Sequence, residues 1–143
     1  MKYALVTAFS LCLLLAGVSP AADSLNVRLI GRCAVGRRPG RMAIVGVYVI
    51  VADQGLRVIS VADPAHPVEV GYWESSGGAG GAHDVVVRGE YAYVADNSFG
   101  LWIVSIADTT HPVEVGYWDA GGGAMGVAVR DGFAYLAEHC QVS

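Results

Sequence analysis

The chain copies itself. Residues 55–73, GLRVISVADPAHPVEVGYW, and residues 100–118, GLWIVSIADTTHPVEVGYW, agree at thirteen of nineteen positions at an offset of 45. Residues 82–96, AHDVVVRGEYAYVAD, and residues 124–138, AMGVAVRDGFAYLAE, agree at seven of fifteen at an offset of 42. The Gly-rich stretch between these blocks is therefore three residues shorter in the later copy. An earlier echo, residues 42–53, MAIVGVYVIVAD, stands in register with Val85 to Asp96 at an offset of 43. Each copy is too small to bury its own apolar surface, so neighbouring copies must bury it for one another.

Every copy divides into four short apolar runs separated by turn residues. In the clearest copy the runs are Asp84 to Arg88, Tyr91 to Ala95, Leu101 to Ala107 and Pro112 to Trp118, dominated by Val, Ile, Tyr and Trp. Arg88-Gly89, Asp96-Asn97-Ser98 and Asp108-Thr109-Thr110 mark the turns, and such runs between such turns predict strands. The runs are apolar on both alternating faces, as in Tyr91-Ala92-Tyr93-Val94-Ala95. A strand with one face in water would alternate, so both faces are expected to be covered by neighbouring sheets. A period of 42–45 residues and radial stacking predict an all-β fold of β-propeller-type four-stranded blades in an incomplete ring. Two full blades are expected at about 41–73 and 84–118. A fourth-type strand at Val27 to Cys33 precedes them, and the first two strands of another blade follow near Met125 to Ala137. Glu69 and Glu114 share one position in the fourth run, where the outermost strand is expected to meet water. Tyr72-Trp73 and Tyr117-Trp118 end that run, either packing blade on blade or offering a binding platform.

At these residues the chain resembles the LVIVD-repeat family, named for a strand motif followed by an acidic turn and a Pro-Val-Glu-Val-Gly strand. The motif stands as Leu56 to Asp63, LRVISVAD, and as Leu101 to Asp108, LWIVSIAD, each followed by HPVEVG; Ser60 and Ser105 occupy a position where the motif has Asp. The resemblance spans roughly residues 27–138. It implies a propeller-like protein of bacterial or archaeal cell surfaces and carries no shared activity. The Gly-His partner of a WD dipeptide, the Asp box of sialidases and a quinoprotein tryptophan-docking pattern do not occur.

The first residues predict export. Met1-Lys2 precede an apolar run from Ala4 to Val18, and Ser19-Pro20-Ala21-Ala22 supply small residues for cleavage. The run is about fifteen residues, short of the roughly twenty that cross a bilayer as a helix, so residues 1–21 are expected to be a removable signal peptide. Residues 22–40 then form an N-terminal segment and 41–143 carry the repeats. The expected location is periplasmic, cell-surface or extracellular, with no membrane span after cleavage. Such a compartment permits a disulfide between Cys33 and Cys140, though spacing cannot establish one. Net charge is −4, and only Arg57, Arg88 and Arg130 stand beyond Met42 against twelve acidic residues. No nucleic-acid partner is expected of such a surface. Arg28, Arg32, Arg37, Arg38 and Arg41 cluster earlier, as a solvated edge or a contact for an acidic partner.

Chemistry-bearing motifs are sparse. Glycines at 77, 78, 80, 81 and at 121–123 lack the following helix that a phosphate cradle needs, and no cofactor or metal site is expected. His66 and His111 recur beside Pro67 and Pro112, as residues of a turn. His83-Asp84 differ, because the next copy has Met125-Gly126 there, and a residue that departs from the repeat is expected to be free of structural duty. Asp53, Asp96 and Glu138 end the second strand of successive blades. His83, Asp84, Asp53 and Asp96 are accordingly the candidate ligand-binding residues, with Asn97, Glu138 and His139 on the same face; no catalytic residue is expected. The functional expectation is an exported, non-enzymatic binding scaffold for an unknown protein or surface ligand, with self-association through open blade faces. The rival expectations are a non-catalytic piece of a larger exported propeller enzyme, or a truncated product without independent function.

Overall fold

The computed structural model describes residues 29–35, 39–75 and 81–139. These residues form ten strands and no helix, so none is long and apolar enough to cross a membrane. The leader at 1–21, Gly77, Gly78, Gly80 and Cys140 lie outside the described residues; Cys33 is half-buried.

The first blade is an antiparallel sheet of β1 (Met42–Val45), β2 (Tyr48–Ala52), β3 (Gly55–Ser60) and β4 (Val68–Glu74), paired in chain order. The second repeats it with β5 (Ala82–Arg88), β6 (Tyr91–Asp96), β7 (Gly100–Ser105) and β8 (Val113–Trp118). A third unit holds β9 (Gly123–Arg130) and β10 (Phe133–His139) alone. Among the described residues the three sheets stack as successive propeller-like blades that do not close into a ring. The turns follow their sequences: Gly46 and Gly89 take positive φ at the first position of two-residue loops, and Asp131-Gly132 take it at both, as tight hairpins require.

Both faces of a blade are buried, which is why its strands do not alternate. Ile50, Ala52, Leu56 and Val58 pack against Ala92, Val94, Trp102 and Val104 of the next blade. Val49, Val51 and Ile59, on the opposite face, meet Val35 and Cys33. Ala95 and Leu101 meet Ala124, Val127 and Val129 of the third unit. Between blades, the first strands lie side by side, β1 beside β5 and β5 beside β9, so they are innermost, as in a radial stack.

Residues 29–33 form no strand, contrary to the expectation of a fourth-type strand at Val27 to Cys33. The segment nonetheless makes a fourth-strand contact. A methyl group on Gly31 would strike the carbonyl oxygen of Pro64, just as one on Gly71 would strike that of Thr109, the equivalent turn position one repeat later. The segment therefore covers the first blade where a preceding blade's outer strand would lie, without pairing to another strand.

Candidate functional site

The acidic residues that end the second strands are interior. Asp53 is 0 % exposed, and its Oδ2 accepts from Arg57 Nε at 2.7 Å. The Arg57 Nη1 donates to both oxygens of Glu69 at 3.0–3.1 Å, and the guanidinium lies 4.5 Å over the Tyr72 ring. Burial alone would make Arg57 easier to deprotonate; the hydrogen bonds to Asp53 and then Glu69 outweigh it and raise its pKa. Glu69 is thus one arm of a two-carboxylate clamp, where the sequence suggested only a solvated residue.

The second blade replaces Arg57 by Trp102. Asp96 is also 0 % exposed, its Oδ1 accepts from Ser98 N at 2.8 Å, and its Oδ2 and the Trp102 Nε1 have no hydrogen-bond partner. In exchange Trp102 bridges the blades, edge-on to Trp73 at 5.6 Å and 4.1 Å from the Tyr117 ring. One repeat position therefore carries an ion pair within a blade, then an aromatic contact between blades. Trp73 packs blade on blade, whereas Tyr72 lies under Arg57 of its own blade and Trp118 is 54 % exposed.

Asp84 is buried and occupied. Its Oδ1 accepts from Val85 N at 2.9 Å and its Oδ2 from Val127 N at 3.1 Å, with Arg41 Nη1 at 4.0 Å. The expectation that a residue departing from the repeat has no structural duty fails here. Asp84 fastens the second blade to the third unit, and Gly126, its repeat counterpart, leaves room beside that carboxylate. His83 is half-buried and sits where the β5–β6 register slips by one; the β9–β10 register slips likewise, beside Met125. A bulged residue lies off the ladder and its side chain is free to vary, which accounts for His and Met at one repeat position.

His66 and His111 belong to exposed turns. Asp63 carboxylate oxygens accept from Ala65 N at 3.0 Å and face His66 Nδ1 at 2.8 Å; Asp108 accepts from Thr110 N and Oγ1 at 2.9 and 2.6 Å. The His66 contact chiefly lowers the Asp63 pKa, and the Thr110 hydroxyl chiefly lowers that of Asp108, below the ordinary 3.8.

Gly81, the glycines 121–123 and the turn after β6 share one end of the molecule. Asn97 N donates to Gly81 O at 3.1 Å, and Gly123 lies against the Asn97 carbonyl so closely that a methyl group there would collide. Here a groove of about 660 Å³ opens, lined by Asn97, Ser98, Asp119, the glycines 121–123, Glu138 and His139. Its walls present two carboxylates, an imidazole and an amide. Among the described residues no three His, Cys, Asp or Glu side chains gather to hold a metal ion. The sequence had placed Asn97, Glu138 and His139 on one face; it missed Asp119, whose signal was its place two residues before the shortened glycine run.

Comparison with curated proteins and with solved structures gives no match. The family model described as the LVIVD repeat matches residues 36–74, 79–120 and 121–140, one match for each blade and one for the two-stranded unit. With most of its length covered by three such matches, this chain belongs to the LVIVD repeat family.

Proposed function

We propose that this chain is an exported, non-enzymatic binding scaffold whose ligand docks in the groove at the loop end. The observation that carries the reading is the lining of that groove, where Asn97 from one unit faces Asp119, Glu138 and His139 from the next connection and strand. Loops held by a rigid scaffold are where binding residues collect, and a concave site with a few polar groups suits a small recognised moiety. Two carboxylates favour a cationic group, such as a lysine ammonium on a protein or surface partner. In this reading Asp53 and Asp96 hold the turns, Asp84 fastens the inner strands, and His83 lies at the bulge of β5, outside the groove lining. Export rests on the charged start, short apolar run and small residues of positions 1–22.

A Gly-Lys-Gly peptide titrated into the isotopically labelled full chain tests the site. Amide shifts are expected at Asn97, Gly122, Gly123 and His139, lost in an Asp119→Asn, Glu138→Gln double variant and weakened by salt. Equal binding by the double variant would contradict the reading. For export, the intact mass of protein from its native host is expected to begin at Ala22 or Asp23; retention of Met1 to Ala21 would sink that part.

A further inference from the structure

We propose that the cleft between the hairpin turns of the first two blades binds a small amphipathic amine, its apolar body between the blades and its ammonium on Glu90. The cleft and the groove lie at opposite ends of the strands, since β6 starts beside Glu90 and ends beside Asn97. They share no residue, so this inference goes beyond the groove reading and stands apart from it.

A turn that departs from the repeat gives the first indication. The β1–β2 hairpin turns through Val45-Gly46-Val47-Tyr48, and the same positions 43 residues later are Arg88-Gly89-Glu90-Tyr91. The β9–β10 hairpin has Arg130-Asp131-Gly132-Phe133 there. Hairpin tips favour Gly, Asn, Asp and other polar residues, each for a reason of turn geometry. Valine supplies none of these, yet the first hairpin carries two, and Val47 is 49 % exposed. The hairpin itself does not need that apolar surface; a ligand beside it would.

Between this tip and the second blade a cleft of about 450 Å³ opens. The first blade contributes Val45, Val47, half-buried Tyr48 and buried Ile50, and the second contributes Glu90 and buried Ile106. Such a volume, mostly apolar with a few polar groups, suits a small molecule. The walls are fixed before any ligand arrives. Ile106 N donates to Glu90 O and Val61 N to Val47 O, both at 2.8 Å, tying each hairpin tip to the third strand of its own blade.

Charge selects the head group. Glu90 is the one charged residue of the cleft lining, and among the described residues its carboxylate forms no ion pair. A carboxylate at the mouth of an apolar cleft attracts an ammonium and repels another carboxylate.

The probe is 4-phenylbutylamine, titrated into the isotopically labelled full chain. Saturable shifts are expected at Val45, Val47, Glu90 and Ile106. Both 4-phenylbutyrate, with the same body and the opposite charge, and methylammonium, a charge without a body, are expected to bind at least about tenfold more weakly. Glu90→Gln is expected to weaken the amine about threefold, the size of a solvent-facing ion pair. Val45→Arg installs the residue that the other two hairpins already carry as Arg88 and Arg130, so the turn still forms. It sets a cation in the lining and is expected to weaken the amine about tenfold. Equal binding of the amine and the carboxylate, or unchanged affinity in both variants, would overturn the proposal. So would shifts confined to Asn97, Gly122 and His139, which would assign the amine to the groove instead.

Discussion

The Asp84 Oδ2 accepts the Val127 amide hydrogen at 3.1 Å, joining the innermost strands of two successive units across 43 residues of chain. Its other oxygen holds the Val85 amide, and both bonds are buried. Asp84→Ala strands two buried donors at once. The expected loss is about 2–3 kcal/mol, since hydrogen bonds to charged groups and unpaired buried donors each cost on that order. Urea unfolding of the full chain measures it; a change under about 0.5 kcal/mol, the scale of ordinary surface substitutions, would count against a structural role.

Asp53 and Asp96 are equally buried and differ in their partners, so one substitution separates them. Asp53→Asn removes a charge that Arg57 meets at 2.7 Å and is expected to cost about 3 kcal/mol, as breaking a buried pair does. Asp96→Asn removes a charge whose Oδ2 has no hydrogen-bond partner and is expected to be near neutral or stabilising. The pair of unfolding curves decides the matter, and equal losses would contradict the reading.

How much of this was legible in the sequence follows from the range of each interaction. The expected runs Tyr91 to Ala95 and Pro112 to Trp118 correspond to β6 and β8 within one residue at each end, because strand patterning and turn chemistry are local. Radial stacking was legible too, from strands apolar on both faces. What the sequence hid is what reaches between units. Asp84 looked dispensable because its partner is a backbone amide, which has no sequence signature. The Arg57 to Trp102 exchange stood in plain view at one mismatched position. Its meaning needed the register that sets Glu69 and Tyr72 beside Arg57 and Trp73 beyond Trp102. The missing strand at Leu29 to Cys33 reflects the same limit: Gly31 makes the packing contact, but among the described residues no strand lies beside it to pair.

The turn aspartates set an acid limit. Asp63 and Asp108 have pKa values lowered below 3.8 in the folded chain. A depressed carboxylate adds stability above its unfolded value, and that stability is lost as pH falls through the folded value, so the window lies below about pH 4. Both groups are exposed, and the effect is local. The Ala65 and Thr110 amide resonances are expected to hold steady from neutral pH to about 4 and to move below it. Movement confined to pH 5–7 would mean that other groups govern these turns.

Residue-resolved hydrogen exchange on the full chain tests most directly the central claim, that blades bury one another and that, among the described residues, β10 is paired on one side only. Amides of Ile50, Val58, Val94 and Val104, in strands paired on both sides and covered on both faces, are expected to exchange slowest. Those of Tyr135 and Ala137, on the exposed strand β10, are expected to exchange orders of magnitude faster. Uniform protection across all ten strands would show that the third unit is covered, and fast exchange at Ile50 and Val94 would show that the blades do not stack as described.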